Sequence, residues 1–586
     1  MGGWILGGWI MGACRVAEDG RAKSLARRVG GSPPGDPAGN DGAWAPPYVR
    51  ETCKLGPDGQ HVRYLGALVG APGGEAADVA EASAKAAQLR EALADLNDAP
   101  VQLTLLRFCA DVSKAMYALR CGGDAPPPES LLDLDAGLRR SVEHSLDGPL
   151  EDHSWRQAGL GVRSGGLGLR SASSVALCAY VASATAAMPL VAEVDDSMRG
   201  ILPAGALTRR VQARLQAARD RLEADQPDTV KRCIGIELER ATEVMQERWE
   251  ALRAGAPMPR PPRSCDEGAE AHGGLFVGDA GLLDPEFPGS VSGPSLQSRL
   301  LRLLDEGGGL RERLWARAEG RWLDDRRLGD LQGKHVDHSW LWSLNPAHGP
   351  RLDASEYGDA VRLRLGASMV EGSVPCRRCG ALVTGCGAHG LTCGGAGDTV
   401  GHNRVRDVVH ALAVAADPAS CLEPAGLIAS RPLRRPADVF THAATPDGCA
   451  ALDVGITSPF VARGADDCVA ELRRLKLRKA EPWLEELARE GVVYEPLAFS
   501  AFGRAEPGAA AIIERMVRRA ARRAGLASPA TIRRRTWARI GVELARRSVA
   551  VVRSCLPQGA AAGDELDDGL AAAVRLPVAR QRWLRG

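Results

Sequence analysis

The chain has 586 residues, too many for one hydrophobic core, so we expect three or four domains. Apolar residues make up 45% of it, which is typical of a globular protein and excludes a chain that is disordered throughout. The net charge of +1 excludes a strong overall field, although only eight of the 74 basic residues are lysine. Fifteen cysteines without a recognisable secretory signal favour reduced thiols over a disulfide framework.

The first half of the chain is predicted to be mostly helical. Its opening segment, MGGWILGGWIMGAC, is too short to span a bilayer, so we expect no membrane role, and residues 26–47 are expected to be disordered. From Tyr64 onward, apolar residues recur at three- and four-residue spacing, and 208–254 is predicted as one further helical stretch. The predicted segments are a mostly disordered start (1–63), helical regions (64–190, 191–255), a linker (256–294), a helical region (295–370), a cysteine cluster (371–400), an α/β unit (401–510) and arginine-rich helices (511–586).

One short segment, PCRRCGALVTGCGAHGLTCGG, holds Cys376, Cys379, His389 and Cys393. Their order is C-x2-C followed by H-x3-C, and two such pairs can wrap one tetrahedral zinc ion. The segment has little core of its own, so we expect bound zinc to fold it, and four protein ligands fit a structural ion rather than a catalytic one. The spacing leaves open that Cys386 replaces His389, or that these are ordinary reduced cysteines.

The segment HNRVRDVVHALAVAA follows and predicts a helix. His402 stands near its start, where it is either a further zinc ligand or a residue with a packing or phosphate-contact role.

Two short apolar runs, each with one aspartate, flank a Pro-Asp-Gly turn and predict a β-hairpin. Alternation in ALDVGIT puts Leu452 and Val454 on one face and Asp453 on the other. Pairing of the two runs brings Asp438 beside Asp453, and two neighbouring carboxylates repel unless a cation lies between them. Oxygen ligands of this kind suit Mg²⁺, so the sequence predicts a magnesium site.

The next helix carries Lys476 and Lys479 on one face in a chain that nearly always uses arginine. Lysine offers a compact ammonium group, which can stabilise an attacking hydroxide or a pentacoordinate phosphate. The alternative is that both are solvated surface lysines. The segment VVYEPLAFSAFG then predicts a further strand.

Arginine is concentrated near the end of the chain, where twelve arginines between Arg515 and Arg553 face a single acid. Guanidinium groups make bidentate contacts to phosphate, so this region predicts nucleic-acid binding, with a solvated helical surface as the alternative. The candidate residues are Arg518, Arg519, Arg522, Arg523, Arg533, Arg534 and Arg535.

These motifs resemble the restriction-like PD-(D/E)xK endonuclease at the C-terminus of site-specific non-LTR retrotransposon proteins. RRPADV supplies Asp438, ALDVGITSP supplies Asp453, and RRLKLRKAEPW supplies a lysine that has moved to the following helix. The sequence departs from the pattern where Ala437 separates the proline from the aspartate, and where Gly455 occupies the position of the D-x-K lysine. Glu423 resembles the upstream helical glutamate of some members.

The resemblance implies an α+β multidomain fold with a thumb-like helical N-terminal half, a CCHC zinc knuckle and a C-terminal endonuclease. VRYLGALVG, VQLTLLRFCADVSKAMYALR and WRQAGLGVRSGGLGLRSA resemble the end of a reverse transcriptase palm, the thumb and the segment after it. The implied activity is Mg²⁺-dependent DNA nicking by Asp438, Asp453 and either Lys476 or Lys479. The implied partners are target DNA and element RNA in the nucleus, without a small-molecule substrate.

A polymerase needs an aromatic-x-Asp-Asp turn, and the chain has none before Tyr64, so we expect a truncated protein that does not polymerise. Two other interpretations stay open. One is a relic that binds nucleic acid without cutting it. The other is a helical scaffold in which the hairpin aspartates pair with Arg434 and Arg435.

Overall fold

The structure is a computed structural model with an α+β fold that is mostly helical and contains small sheets. It describes residues 54–55, 61–64, 67–70, 74–110, 112–121, 128–197, 203–254, 296–344, 351–394, 399–446, 448–461 and 467–557. The predicted disordered segment 26–47, the linker 256–294 and residues 558–586 of the predicted C-terminal region lie outside these residues.

Within the described residues the strands form three sheets. In chain order they are β1 (Lys54–Leu55), β2 (His61–Tyr64), β3 (Ala67–Gly70), β4 (Ser373–Pro375), β5 (Leu382–Thr384), β6 (Cys421–Leu422), β7 (Val439–Thr441), β8 (Cys449–Thr457) and β9 (Val492–Ser500). The α-helices of the described residues are α1 (Gly74–Ala94), α2 (Ala99–Cys109), α3 (Met116–Cys121), α4 (Pro128–Ser145), α5 (Asp152–Gly159), α6 (Ala172–Ser197), α7 (Ala206–Glu223), α8 (Asp228–Arg253), α9 (Leu296–Ala318), α10 (Trp322–Leu331), α11 (Ala354–Leu365), α12 (Thr399–Ala416), α13 (Cys468–Arg489), α14 (Pro507–Arg523) and α15 (Ala530–Cys555).

The chain divides into two compact units. The first comprises Met1–Asp95, Leu105–Val142 and Gly168–Gly308, and the second comprises Leu96–Thr104, Glu143–Leu167 and Gly309–Gly586.

The first unit confirms the predicted helices and adds a sheet that was not predicted. Strands β1, β2 and β3 pair in antiparallel order within a stretch that was assigned in part to a disordered start. The prediction of one continuous helical stretch over 208–254 is wrong in one detail, because α7 and α8 are separate helices. Pro227 lies between them, and its carbonyl accepts the hydrogen bond from Val230 N that opens α8 (2.9 Å).

Helix α6 is long and apolar enough to cross a membrane over Ala172–Glu193, by length and composition only. Half of its most apolar window is buried inside the protein, and core helices of soluble proteins pass the same test. This helix therefore carries no conclusion about membranes.

The second unit contains a four-stranded sheet with the order β6-β7-β8-β9, in which β8 and β9 are parallel and the other pairs are antiparallel. One face of the sheet carries Leu452 and Val454 and packs on helices α12, α14 and α15. The opposite face carries Ala451 and packs on α13 through Trp483. The predicted hairpin, helix and strand are therefore confirmed, and so is the predicted alternation in β8.

Candidate metal centre and candidate hydrolytic site

The two hairpin aspartates lie beside each other, with Asp453 in β8 and Asp438 immediately before β7. Val439 pairs with Leu452, so Asp438 and Asp453 form the next position along the same ladder. The backbone N–H of Asp438 donates to Leu452 O (2.9 Å), and the Oδ2 of Asp438 accepts a bond from Val454 N (2.7 Å). The β-strand alternation places the Asp453 side chain on the face that α13 covers.

Helix α13 brings one of the two predicted lysines to this pair. The Nζ of Lys476 donates to Asp453 Oδ1 (2.6 Å) and to Val454 O (2.9 Å), and both side chains of the ion pair are about four-fifths buried, being 18% and 21% exposed. Lys479 lies one turn further along the helix and is exposed. The structure therefore joins Lys476, but not Lys479, to the aspartates.

Gly455 makes room for this lysine. A Cβ atom on Gly455 would lie 2.3 Å from Cε of Lys476 and 3.0 Å from Cδ2 of Leu472. Any side chain at position 455 would therefore force Lys476 to move. Gly455 is the position at which the D-x-K form of the motif would carry its lysine. The side chain from α13 thus occupies the space that a lysine on β8 would enter.

Two further side chains contact the aspartates, and neither was predicted to do so. The hydroxyl of Tyr494 on β9 donates to Asp453 Oδ2, and burial together with the adjacent Asp453 raises the pKa of Tyr494, so the hydroxyl stays protonated. The Nε2 of His402 lies 3.1 Å from Val454 O and 3.5 Å from Asp438 Oδ2. The hydrogen bond with Asp438 raises the pKa of His402. Burial is the largest single influence on the pKa of Asp438 and would raise it, but His402, the Val454 N–H and Lys476 together outweigh burial and lower it.

The arginines near the hairpin have other partners. The guanidinium group of Arg434 stacks on the ring of Trp483, with 4.2 Å between Cζ and the ring centroid. Arg435 forms an ion pair with Glu423, and Arg406 donates to the same carboxylate (2.6 Å). The scaffold interpretation, which paired Arg434 and Arg435 with the hairpin aspartates, does not match these contacts.

Glu423 itself directly follows strand β6, with φ at 45°. Its resemblance to a helical glutamate is therefore wrong, because the residue is not in a helix.

The predicted zinc ligands form one cluster. Hairpin β4–β5 carries Cys376 and Cys379 in its turn, the next loop carries His389 and Cys393, and the four ligand atoms lie within 4.8 Å of one another. The Sγ atoms of Cys376 and Cys393 are 3.9 Å apart, and Cys379 Sγ is 3.3 Å from His389 Nε2. Tetrahedral bonds of ordinary length to zinc require about 3.8 Å between two sulfurs and about 3.6 Å between sulfur and nitrogen. This Cys₃His set therefore fits a zinc ion.

Backbone groups favour the thiolate form that zinc requires. Burial opposes ionisation of Cys376, but the N–H groups of Arg378 and Cys379 hydrogen-bond to its sulfur and lower the pKa of the thiol to about 6. The Arg378 N–H lies 3.4 Å from that sulfur. The two residues that the spacing left as alternatives lie elsewhere: Cys386 is outside the cluster, and His402 contacts Asp438.

Comparison of the sequence with models of known protein families gives no match, and comparison with curated proteins also gives none. A proposal about function therefore depends on the sequence motifs and on the side-chain geometry of two groups of residues, the aspartates with Lys476 and the Cys₃His cluster.

The seven candidate nucleic-acid arginines lie on α14 and α15, and they differ in whether the guanidinium group is free to bind phosphate. Arg533 donates to Glu514 (2.7 Å), and Arg519 donates to the carbonyl of His442 (2.6 Å). Arg523 is exposed but bonds to two carbonyls at the end of α12, and Arg535 is half-buried. The exposed members that make no such bond to another described residue are Arg518, Arg522 and Arg534.

Proposed function

We propose that the second unit is a metal-dependent DNA endonuclease of the restriction-like type, within a non-LTR retrotransposon protein. The observation that carries the proposal is that Asp438, Asp453 and Lys476 lie together beside the start of β7, with Lys476 reaching over Gly455. Asp438 lies 15 residues before Asp453 in the sequence, and Lys476 lies 23 residues after it. Charged side chains of a solvated surface would not need to meet in this way.

Each side chain has a role in phosphodiester hydrolysis. Asp438 and Asp453 would hold Mg²⁺, which when bound lowers the pKa of a coordinated water and neutralises phosphate charge. Lys476 places an ammonium group beside Asp453, where it offsets the negative charge that develops on the phosphate. Tyr494 and His402 hold the two carboxylates in orientation through their contacts.

The other predicted parts would serve DNA binding. The Cys₃His cluster would hold structural zinc. The exposed arginines of α14 and α15 would contact phosphates and fix the position of the duplex without reading its bases. Target DNA in the nucleus and the RNA of the element are the partners that this function implies.

The test is nicking of supercoiled plasmid DNA by the purified chain with and without Mg²⁺. We expect Mg²⁺-dependent nicking that Asp453→Ala abolishes, while Lys479→Ala, a matched change of an exposed lysine on the same helix, leaves the rate unchanged. Equal nicking by the wild type and Asp453→Ala would reject the assignment.

One observation favours a second candidate, a relic that binds nucleic acid without cutting it. Both carboxylate oxygens of Asp453 already accept bonds from protein donors, Lys476 and Tyr494, so an incoming cation must compete with them. This candidate predicts DNA binding that is insensitive to EDTA and is not accompanied by nicking.

Both candidate functions require binding to DNA phosphates, and the dependence of the DNA-binding constant on salt concentration measures how many phosphates are contacted. Replacing three exposed arginines by glutamine should reduce the slope of log K against log salt by about 0.9 for each phosphate that is no longer neutralised. The three are Arg518, Arg522 and Arg534. Arg533→Gln is the matched control, because the partner of that guanidinium group is Glu514, and an equal effect of the control would contradict the assigned surface.

A further inference from the structure

A fifth cysteine lies against the zinc-ligand cluster and comes from a distant part of the chain. Cys555 is the last residue of α15 and is completely buried. It belongs to the same apolar cluster as Cys376, with Cys393 packed against it. Neither the zinc-ligand spacing nor the proposed nuclease accounts for a thiol in this place.

Backbone contacts fix the end of α15 on the cluster. The N–H of Arg377 donates to Cys555 O (3.0 Å), and Nε of Arg378 donates to Ser554 Oγ (2.9 Å). Both donors lie between the first two ligand cysteines. A Cβ on Gly390 would lie 2.7 Å from Cα of Val552, so the loop that carries the last two ligands touches the helix backbone directly.

The Cys555 side chain packs in one cluster with Cys376 and Cys393, but its sulfur is not one of the four mutually close ligand atoms. Three thiolates around Zn²⁺ leave one surplus negative charge, since three negative charges face two positive ones. An S–H donor beside two of those sulfurs offsets part of that charge.

We propose that Cys555 is an outer thiol of the zinc site, which donates its S–H to the Cys376 and Cys393 sulfurs and thereby ties the end of α15 to the bound ion. This inference rests on the zinc binding proposed above. Zinc then stabilises not only its own loop but also the last turn of the helix that carries Arg533, Arg534 and Arg535.

The experiment measures zinc content of the full chain and the rate at which zinc transfers to a colorimetric chelator. We expect Cys555→Ala to release zinc about tenfold faster than the wild type, as loss of groups that bond to metal ligands typically does. Cys555→Ser, which keeps a hydrogen-bond donor, should release zinc more slowly than Cys555→Ala. Cys386→Ala, a cysteine of the same segment outside the cluster, should match the wild type.

Hydrogen exchange gives an independent measurement. Removal of zinc from the wild type should accelerate exchange at the end of α15, and Cys555→Ala should show faster exchange there even with zinc bound. Two results would overturn the role of Cys555 but leave the zinc site in place. One is equal zinc release by Cys555→Ala and the wild type, and the other is release from Cys555→Ser that is as fast as release from Cys555→Ala. A wild-type chain isolated without zinc, and unable to take it up, would overturn the zinc site as well.

Discussion

Moving the lysine from helix α13 to strand β8 is the sharpest test of the proposed hydrolytic site. Lys476→Ala removes an ammonium group 2.6 Å from Asp453 Oδ1, and the loss of one such charge donor costs about 10²- to 10³-fold in rate. Adding Gly455→Lys starts a new side chain 2.3 Å from where Cε of Lys476 had been. We expect the double variant to nick plasmid DNA about tenfold faster than Lys476→Ala, because part of that donor effect returns.

Single variants provide the controls, all measured as single-turnover nicking rates with Mg²⁺. Gly455→Lys alone collides with Lys476 and with Leu472, so it should be slower than the wild type. Lys479→Ala changes an exposed side chain and should stay within about twofold. The reasoning fails if Lys476→Ala nicks like the wild type, or if the double variant folds, binds zinc and gains nothing over Lys476→Ala.

Three further predictions concern stability. Tyr494→Phe removes the hydroxyl that donates to Asp453 and should lower the free energy of unfolding in urea by about 1–2 kcal/mol; no change would show that the bond is not formed. Burial raises the pKa of Asp337 to about 6, despite hydrogen bonds from Ser339, so the folded state holds a proton that the unfolded state releases near pH 4. The contribution of Asp337 to the free energy of unfolding should therefore be largest below about pH 4 and fall as pH rises to about 6. In urea titrations across this range, Asp337→Asn should make the free energy of unfolding depend less on pH. Cys379→Ser removes one ligand of the cluster, and the purified variant should contain less zinc by metal analysis and melt at a lower temperature than the wild type.

Much of the second unit was predictable because its signals are local. The Pro-Asp-Gly turn and the alternation around Leu452 predicted the hairpin, and the three- and four-residue spacing predicted α12 and α13. The C-x2-C and H-x3-C spacing predicted a cluster whose four ligand atoms the structure brings together. In each case the decisive residues lie within about twenty positions of one another.

The contacts that were missed join distant segments. Tyr494 reaches Asp453 across 41 residues, and His402 reaches the carbonyl of Val454 across 52. Cys555 meets Cys376 only because α15 ends against the β4–β5 hairpin. Such pairings depend on how helices pack on a sheet, and periodicity within one element carries no information about them.

The choice between the two lysines shows where a local signal was present but unused. Residues at three- and four-residue steps along α13 form one stripe toward the sheet: Val469, Leu472, Lys476, Ala480, Trp483 and Leu487. Lys476 stands in this apolar stripe, while Lys479 stands outside it and is exposed. A lysine in an apolar stripe needs a partner for its charge, and Asp453 is that partner. Gly455 stands two positions after Asp453, where any side chain would meet Lys476. The apolar stripe and this glycine together favour Lys476 over Lys479.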